Sequence, residues 1–350
     1  MNFVGHYNYL QIRGDHLYAS NGQVVLDITL EKSLNVNAKV EGLPFCKYIS
    51  LIGDVPIQIV EDGNGYSIVT ENKKSTLRLA KVATDSTPDV SDIIESVTGK
   101  SMEIVKIEDF PTLVEILSLC SKTTTSKNDG GATSFVCVTD QGLAFSTNRS
   151  VASACKVPIA ADKEKYLFFS QLFLSLLSDV SALGNEEVDF SSSNGFISFR
   201  GDDFCLLLRT VDYANSVPDY NVLLDKRVLE CTIEIPVTEE FWSTVDKHIA
   251  MQRVASASLF DKHLKIVCKD GNMRVSSTTD YSVMNDELDC PPDAKLSFAL
   301  ATRNVNKKQY DTIFASPNGS CMLFRDKIKD YEFIYLIMGL VMETSGEINA

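Results

Sequence analysis

The chain has 350 residues, enough for two or three domains of ordinary size. It is 44% hydrophobic and 23% charged, which excludes a disordered chain, and its formal net charge of -14 excludes a nucleic-acid binder that is basic all over while leaving room for a local basic face. No apolar run of about 18 residues occurs, and Met1-Asn2-Phe3-Val4-Gly5-His6 lacks a basic segment followed by an apolar one, so neither a transmembrane helix nor a signal peptide is expected.

In chain order, QIRGDHLYAS (11–20) reads as a strand hairpin, and PFCKYISLIGDV (44–55) as a short amphipathic helix. Asn64-Gly65, inside GNGYSIVTENKKSTLRLAKV, marks a second hairpin, because glycine and asparagine tolerate the positive φ of tight turns. The pattern then starts again. DFPTLVEILSLCSK (109–122) reads as a helix with Asp109 as its cap. CVTDQGLAFS (137–146) is a hairpin, FSQLFLSLLSDV (169–180) a helix, and Asn194-Gly195 a further turn. A third round begins with VTEEFWSTVDKHIAMQ (237–252), a helix capped by Thr238. LFDKHLKIVC (259–268) is its first hairpin. ATRNVNKKQYDTIFAS (301–316) reads as a helix through Val305, Tyr310, Ile313 and Phe314, and Asn318-Gly319 is the last turn.

The glycines of the Asn-Gly turns are 130 and 124 positions apart, and Leu17, Leu143 and Leu264 take matching places in the earlier hairpins. Pro88-Asp89 and Pro218-Asp219 each lie 23 residues after such a glycine. The chain therefore reads as about three copies of one α+β unit of roughly 120 residues, too long for a solenoid repeat. Boundaries fall near 100 and 226, giving domains 1–100, 101–225 and 226–340 with a tail at 341–350. The first copy has only 16 strand-like residues before Leu17, so its first helix is expected to be missing.

Nine cysteines are scattered without a Cys-x-x-Cys pair, and read as reduced intracellular thiols. His6, His16, His248 and His263 form no metal-binding spacing, and there is no phosphate-binding Gly-rich loop and no nucleophile elbow. No catalytic residue, metal or cofactor is called for. Asp246, Lys247 and His248 are helix neighbours expected to point in different directions.

Three such units in this order resemble the bacterial beta sliding clamp, the ring-shaped processivity factor of DNA polymerase. The segment TVDYANSVPDYNVLL (210–224) is similar to the family's Phe-Pro-Asp-Tyr turn, with Val217 in place of the Phe. DYEFIYLIMGL (330–340) is similar to its last strand, with Ile337 and Gly339 where the family has Pro and Arg. STNRSVA (146–152) stands where the family has a Thr-Asp-Gly-His-Arg-Leu-like loop. The likeness runs from about residue 7 to 340, and the ten residues after it have no counterpart.

The resemblance implies a head-to-tail homodimer with sheets outside and helices lining a hole for duplex DNA. It implies a non-enzymatic cytoplasmic replication protein of a bacterial or phage-infected cell, whose partners are double-stranded DNA, a DNA polymerase, a clamp loader and a second copy. It also implies a hydrophobic pocket for partner peptides. Carried over position by position, that pocket comprises Thr147, Arg149, Ser150, Val151, Pro218, Val222, Leu223, Ile334, Leu336, Met338 and Leu340; Ile334 and Leu336 read equally as a buried strand, while the loop context of Pro218 and Leu223 and the strand-end place of Met338 and Leu340 favour the pocket. Candidate DNA-facing cations are Lys47, Lys122, Lys127, Lys247, Arg253, Arg303, Lys307 and Lys308, each also readable as a solvated helix charge. Ring closure is expected at edge strands of the first and third domains, 75–81 being one candidate. The alternatives are an open processivity or scaffold protein of the same fold and, from another class, a hydrolase with an unrecognised site.

Overall fold

The computed structural model describes residues 9–71, 75–82, 89–98, 103–125, 131–163, 165–193, 195–210, 217, 220–255, 262–279, 281–305 and 310–340. The chain divides into two compact units, Met1–Val114 with Leu172–Asp212, and Glu115–Gln171 with Tyr213–Ala350.

The first repeat runs β1 (Tyr9–Arg13), β2 (His16–Ser20), β3 (Val24–Thr29), β4 (Asn37–Glu41), α1 (Gly42–Ile52), β5 (Ile57–Asp62), β6 (Gly65–Thr70), β7 (Thr76–Ala80) and α2 (Val90–Thr98). The second runs β8 (Val105–Ile107), α3 (Phe110–Ser121), β9 (Phe135–Thr139), β10 (Leu143–Thr147), β11 (Val151–Lys156), β12 (Tyr166–Ser170), α4 (Gln171–Ser181), β13 (Val188–Ser193), β14 (Phe196–Arg200) and β15 (Phe204–Arg209). A π-helical turn, Asn221–Lys226, continues into α5 (Arg227–Glu230), so the boundary expected near 226 falls inside a helical run. The third repeat runs β16 (Ile233–Pro236), α6 (Glu239–Ala255), β17 (His263–Lys269), β18 (Asn272–Thr278), β19 (Val283–Asp289), β20 (Leu296–Ala301), β21 (Thr312–Ala315), β22 (Cys321–Ile328) and β23 (Tyr331–Met338).

Every described strand pairing is antiparallel. In unit one an eight-stranded sheet has the order β4-β1-β2-β3-β15-β14-β13-β8, beside a three-stranded sheet β5-β6-β7. In unit two an eight-stranded sheet has the order β12-β9-β10-β11-β23-β22-β21-β16, beside a four-stranded sheet β19-β18-β17-β20. Each large sheet is thus two repeats joined edge to edge. The joining pairs are β3–β15, with Val25 opposite Leu207, and β11–β23, with Val151 opposite Ile337.

The helices are held by their apolar faces. Val90, Ile93, Ile94 and Val97 of α2 share one face at spacings of three, four and seven, and pack on Tyr9, Tyr18, Val25, Cys205 and Leu207. Burying each such side chain contributes about 1.5–3 kcal/mol. Asp89 fixes the start of α2: its Oδ1 accepts from the Ser91 N–H at 3.0 Å and from Gln11 Nε2 at 2.7 Å. Burial opposes the charge on Asp89, but these hydrogen bonds outweigh it and hold the carboxyl below its ordinary value. At α3, Asp109 caps as expected, accepting from the Thr112 N–H at 3.2 Å. Phe110 and Phe173 stack around Phe199, with ring centroids 5.9 and 6.2 Å away. In unit two the Trp242 indole donates to the Tyr310 carbonyl at 2.8 Å, and Tyr310 stacks on Phe324 at 4.8 Å.

Three expectations need correction. The helix expected over 301–316 is, among the described residues, only a 3-10 turn at Thr302–Asn304, and Ile313 and Phe314 lie on β21. The apparent helical spacing arose from a strand whose inward residues happened to extend it. The third early hairpin is not LFDKHLKIVC. It is β17–β18, turning at Asp270 and Gly271, both with positive φ. Leu264 therefore precedes its turn, whereas Leu17 and Leu143 follow theirs. The equivalent turn glycines are Gly14, Gly142 and Gly271, all at positive φ. Finally, α2 was not expected, although its apolar spacing was there to be read. The expectation that repeat one lacks its first helix falls on residues 1–8, which lie outside the described residues.

Candidate peptide pocket and DNA-facing surface

The residues proposed for the pocket gather, where described, around the junction of β11 and β23 in unit two. The turn between β10 and β11 is an Asx turn: Asn148 Oδ1 accepts from the N–H groups of Ser150 and Val151, both at 3.0 Å. Thr147 Oγ1 donates to the Val151 carbonyl at 2.7 Å and accepts from the Arg149 N–H at 3.0 Å. The end of β23 is tied to this turn by the Met338 N–H, which donates to the Ser150 carbonyl at 2.8 Å.

The first repeat contains the same device. Asn21 Oδ1 accepts from Gln23 and Val24 N–H at 3.0 and 2.8 Å, and Gly22 supplies the positive φ of 82°. At the matching place in repeat two stands Arg149, with φ 74°. A side chain there costs on the order of 1 kcal/mol that glycine avoids. Arg149 is exposed, so the strained position holds a guanidinium out to solvent beside the end of β23.

On β23, alternation puts Ile334, Leu336 and Met338 on one face with Ala152, Leu323, Phe314 and Val228. Leu336 is fully buried and packs as core, while Ile334 and Met338 are partly exposed and Leu340 is exposed. Thr147 and Val151 are buried. The open members are therefore Arg149, Ser150, Ile334, Met338 and Leu340. Pro218 lies outside the described residues, as do the side chains of Val222 and Leu223. Val217, at the start of that segment, packs with Phe145, Phe168 and Tyr220. Gly339 is required by close approach: a Cβ there would lie 2.1 Å from the Gly319 carbonyl oxygen.

Lys47 lies on α1 in unit one. Lys122 follows α3, Lys247 and Arg253 lie on α6, and Arg303 sits on the 3-10 turn, all in unit two; all five are exposed. Lys127, Lys307 and Lys308 lie outside the described residues, and Arg303 stands on a 3-10 turn. Lys247 is paired: its Nζ lies 2.6 Å from Asp286 Oδ1.

Asp286 also corrects the reading of α6, because Lys247 and the adjacent His248 converge on it. His248 is fully buried, with Nε2 3.0 Å from Asp286 Oδ2 and Nδ1 2.6 Å from Ser277 Oγ. A carboxylate only accepts, so Nε2 carries the proton and Nδ1 accepts from Ser277. Burial lowers the pKa of His248 despite the neighbouring carboxylate. The hydrogen bond from Lys247 lowers that of Asp286. The three residues fix α6 to β19, and nothing in their sequence spacing announced it.

The order and register of the sheets can now be set beside known proteins. No protein-family model matches the sequence, and no curated relative matches it. Solved structures do. A DNA polymerase sliding clamp from Caulobacter crescentus superposes with a TM-score of 0.75 at 14% identity, covering 98% of this chain and 94% of that one. The DNA polymerase III beta subunit of Thermotoga maritima gives 0.77 at 13% identity over 96% and 91%, and that of Pseudomonas aeruginosa 0.73 at 12% over 96% and 92%. The chain has the sliding-clamp fold. It is an α+β fold of antiparallel sheets with few helices, held by sequence very different from that of the bacterial clamps it resembles. The clamp fold is carried by strand order and hydrophobic alternation, which many sequences satisfy.

Proposed function

We propose that this protein is a DNA sliding clamp. It encircles duplex DNA as a head-to-tail homodimer, contacts phosphates without a fixed register, and tethers a DNA polymerase through a peptide pocket at the β11–β23 junction. The carrying observation is the sliding-clamp fold across 95–98% of the chain. The three-domain division at 1–100, 101–225 and 226–340 belongs to this proposal. So do the absence of catalysis, a clamp-loader partner, and work in the cytoplasm of a bacterial or phage-infected cell. Among the described residues, no helix is long and apolar enough to cross a membrane.

The two joined sheets supply a rule for closing the ring. In each, the third strand of one repeat's first sheet pairs with the third strand of the next repeat's second sheet: β3 with β15, and β11 with β23. Carried one step further, β19 of the third repeat pairs with β7 of the first repeat of another copy. Among the described residues β19 pairs only with β18 and β7 only with β6. Their charges are opposite: β19 carries Glu287 and Asp289, and Arg78 with Lys81 lies on or beside β7, each of Arg78, Lys81 and Glu287 also being ion-paired within the chain, to Asp62, Glu61 and Arg274. β7 lies within the 75–81 segment named from the sequence.

The test is topological. The protein is loaded onto nicked circular DNA with a bacterial clamp loader and ATP, and the circle is then cut. Retention on circles with loss from linear DNA supports the clamp. Equal retention on both forms, or a monomer in solution, would leave the open scaffold as the better account.

A further inference from the structure

Cys231 and Cys321 are 90 positions apart in sequence, yet their sulfurs lie 3.4 Å apart in unit two. Cys231 directly follows α5, and Cys321 opens β22. Cys321 is fully buried, and Cys231 reaches the surface with 9% of its area. Both belong to the apolar cluster that includes Leu336, Ile334 and Met338. The surroundings are unlike those of an inert core cysteine. Ser320 Oγ lies 3.7 Å from the Cys321 sulfur, which also faces the Arg227 carbonyl at 3.6 Å. The ion pair of Arg227 and Glu230, 2.7 Å, sits beside them, and Ser320 also contacts Glu230 at 3.4 Å.

The two thiols interact as a unit. The hydrogen bond from Cys231 pulls the Cys321 thiol down to about 6, and the same bond raises that of Cys231. The 3.4 Å contact lets an S–H of one thiol point at the other sulfur. A disulfide needs an S–S distance of about 2.05 Å, so the two sulfurs, now in contact at 3.4 Å, must approach further to bond.

We infer that Cys231 and Cys321 form a reversible dithiol–disulfide site that pins the helical segment 221–230 to β22 when oxidised. The oxidant class is a low-molecular-weight disulfide. The more exposed Cys231 gives its proton to solvent, and its thiolate attacks one sulfur of the reagent, expelling a thiolate with the electron pair of the broken S–S bond. Cys321 then gives its proton to that thiolate and attacks the Cys231 sulfur, expelling the second thiolate, which is protonated by solvent. Two protein thiols are oxidised and one reagent disulfide becomes two thiols. Bond formation is independent of the proposed function. Its place beneath a partner pocket rests on that reading, because Ile334 and Met338 share the cluster.

The full-length protein is incubated under native conditions with bis(2-hydroxyethyl) disulfide, quenched with an alkylating reagent, and mapped by mass spectrometry of its peptides. The expected product has lost two hydrogens, carries a Cys231–Cys321 cross-link, and returns to the dithiol on reduction. Cys268 and Cys290 also lie within hydrogen-bonding reach of one another, so the map must separate the two pairs. The oxidised protein should melt about 5 °C or more higher, since the bond closes a long loop. It should also show at least about tenfold slower amide exchange over 221–230. Cys231→Ser should abolish all three changes while keeping the unoxidised melting temperature, and Cys321→Ala serves as the second variant. A cross-link confined to other cysteines, a mixed disulfide as the only product at Cys231, or unchanged exchange over 221–230 in the cross-linked protein would overturn the inference.

Discussion

The joined and unjoined strand edges of this molecule differ in composition. Where repeats meet within the chain, Val24, Val25 and Leu26 face Leu208, Leu207 and Leu206, with Asp27 opposite Cys205 the one charge in that register, and Val151 to Cys155 face Ile337 to Phe333 with none. Two of the edges with a single partner among the described residues, β7 and β19, carry Arg78 in one and Glu287 and Asp289 in the other. An edge joined once at folding gains most from apolar packing. An edge that must wait for a second copy has to remain soluble and resist wrong partners, and charge serves both needs. Opposite charge on the two edges then favours one pairing over others.

The largest effect should come from erasing that complementarity. Arg78→Glu with Lys81→Glu should weaken the homodimer by about 100-fold, so that sedimentation reports a 38.7 kDa monomer. Adding Glu287→Arg and Asp289→Arg should restore the dimer, and unchanged assembly in the first variant would remove β7 from the ring interface. Substitution in the interior should behave oppositely. Phe199→Ala, at the centre of the ring cluster with Phe110 and Phe173, should cost about 3–5 kcal/mol in chemical unfolding.

The β23 face divides in the same way. Leu336→Ala should destabilise the fold by about 2–5 kcal/mol. Met338→Ala with Leu340→Ala should leave the melting temperature nearly unchanged and weaken binding of a polymerase-derived peptide by about tenfold. If Leu340 and Met338 matter only to stability, the pocket reading loses its floor.

His248 gives a smaller, pH-dependent effect on the β19 edge. Its pKa is lowered in the folded state, so the unfolded chain binds a proton first as pH falls. Stability attributable to it is fully present above about pH 6.5 and declines as pH falls from there through the native value. Urea midpoints measured from pH 8 to pH 5 should show this slope, and His248→Asn should flatten it. The smallest effect is electrostatic. Lys47→Ala or Arg303→Ala should each reduce the slope of log affinity against log salt for duplex DNA by about 0.9, provided the residue contacts one phosphate.

Much of the fold could be read in advance because it is local. The Gly195 and Gly319 turns with the strand pairs after them, the α1, α3, α4 and α6 segments, and the Asp109 cap each follow from neighbouring residues and the two periodicities of backbone structure, while the first such turn is centred on Gly63 and Asn64 rather than on Asn64-Gly65. The third repeat misled because, among the described residues, the segment 301–316 holds a 3-10 turn and a strand, whose inward residues were taken for a helix face. Its hairpin was misplaced because Asp270-Gly271 was passed over for a polar stretch nearer the expected spacing. Candidate pocket residues were legible as positions, but which of them open to solvent was not: Leu336 and Met338 look alike in sequence and differ only in what lies over them.

By itself the sequence determined the repeat, the antiparallel α+β class, and the segments that carry the junctions, since these depend on short-range spacing of apolar and turn residues. Only the tertiary structure decided which strand edges are joined within each unit. It alone brought Lys247 and His248 onto Asp286 and set Cys231 against Cys321. Those contacts span about 40 to 90 positions, and no local pattern encodes them because each depends on how whole sheets and helices pack.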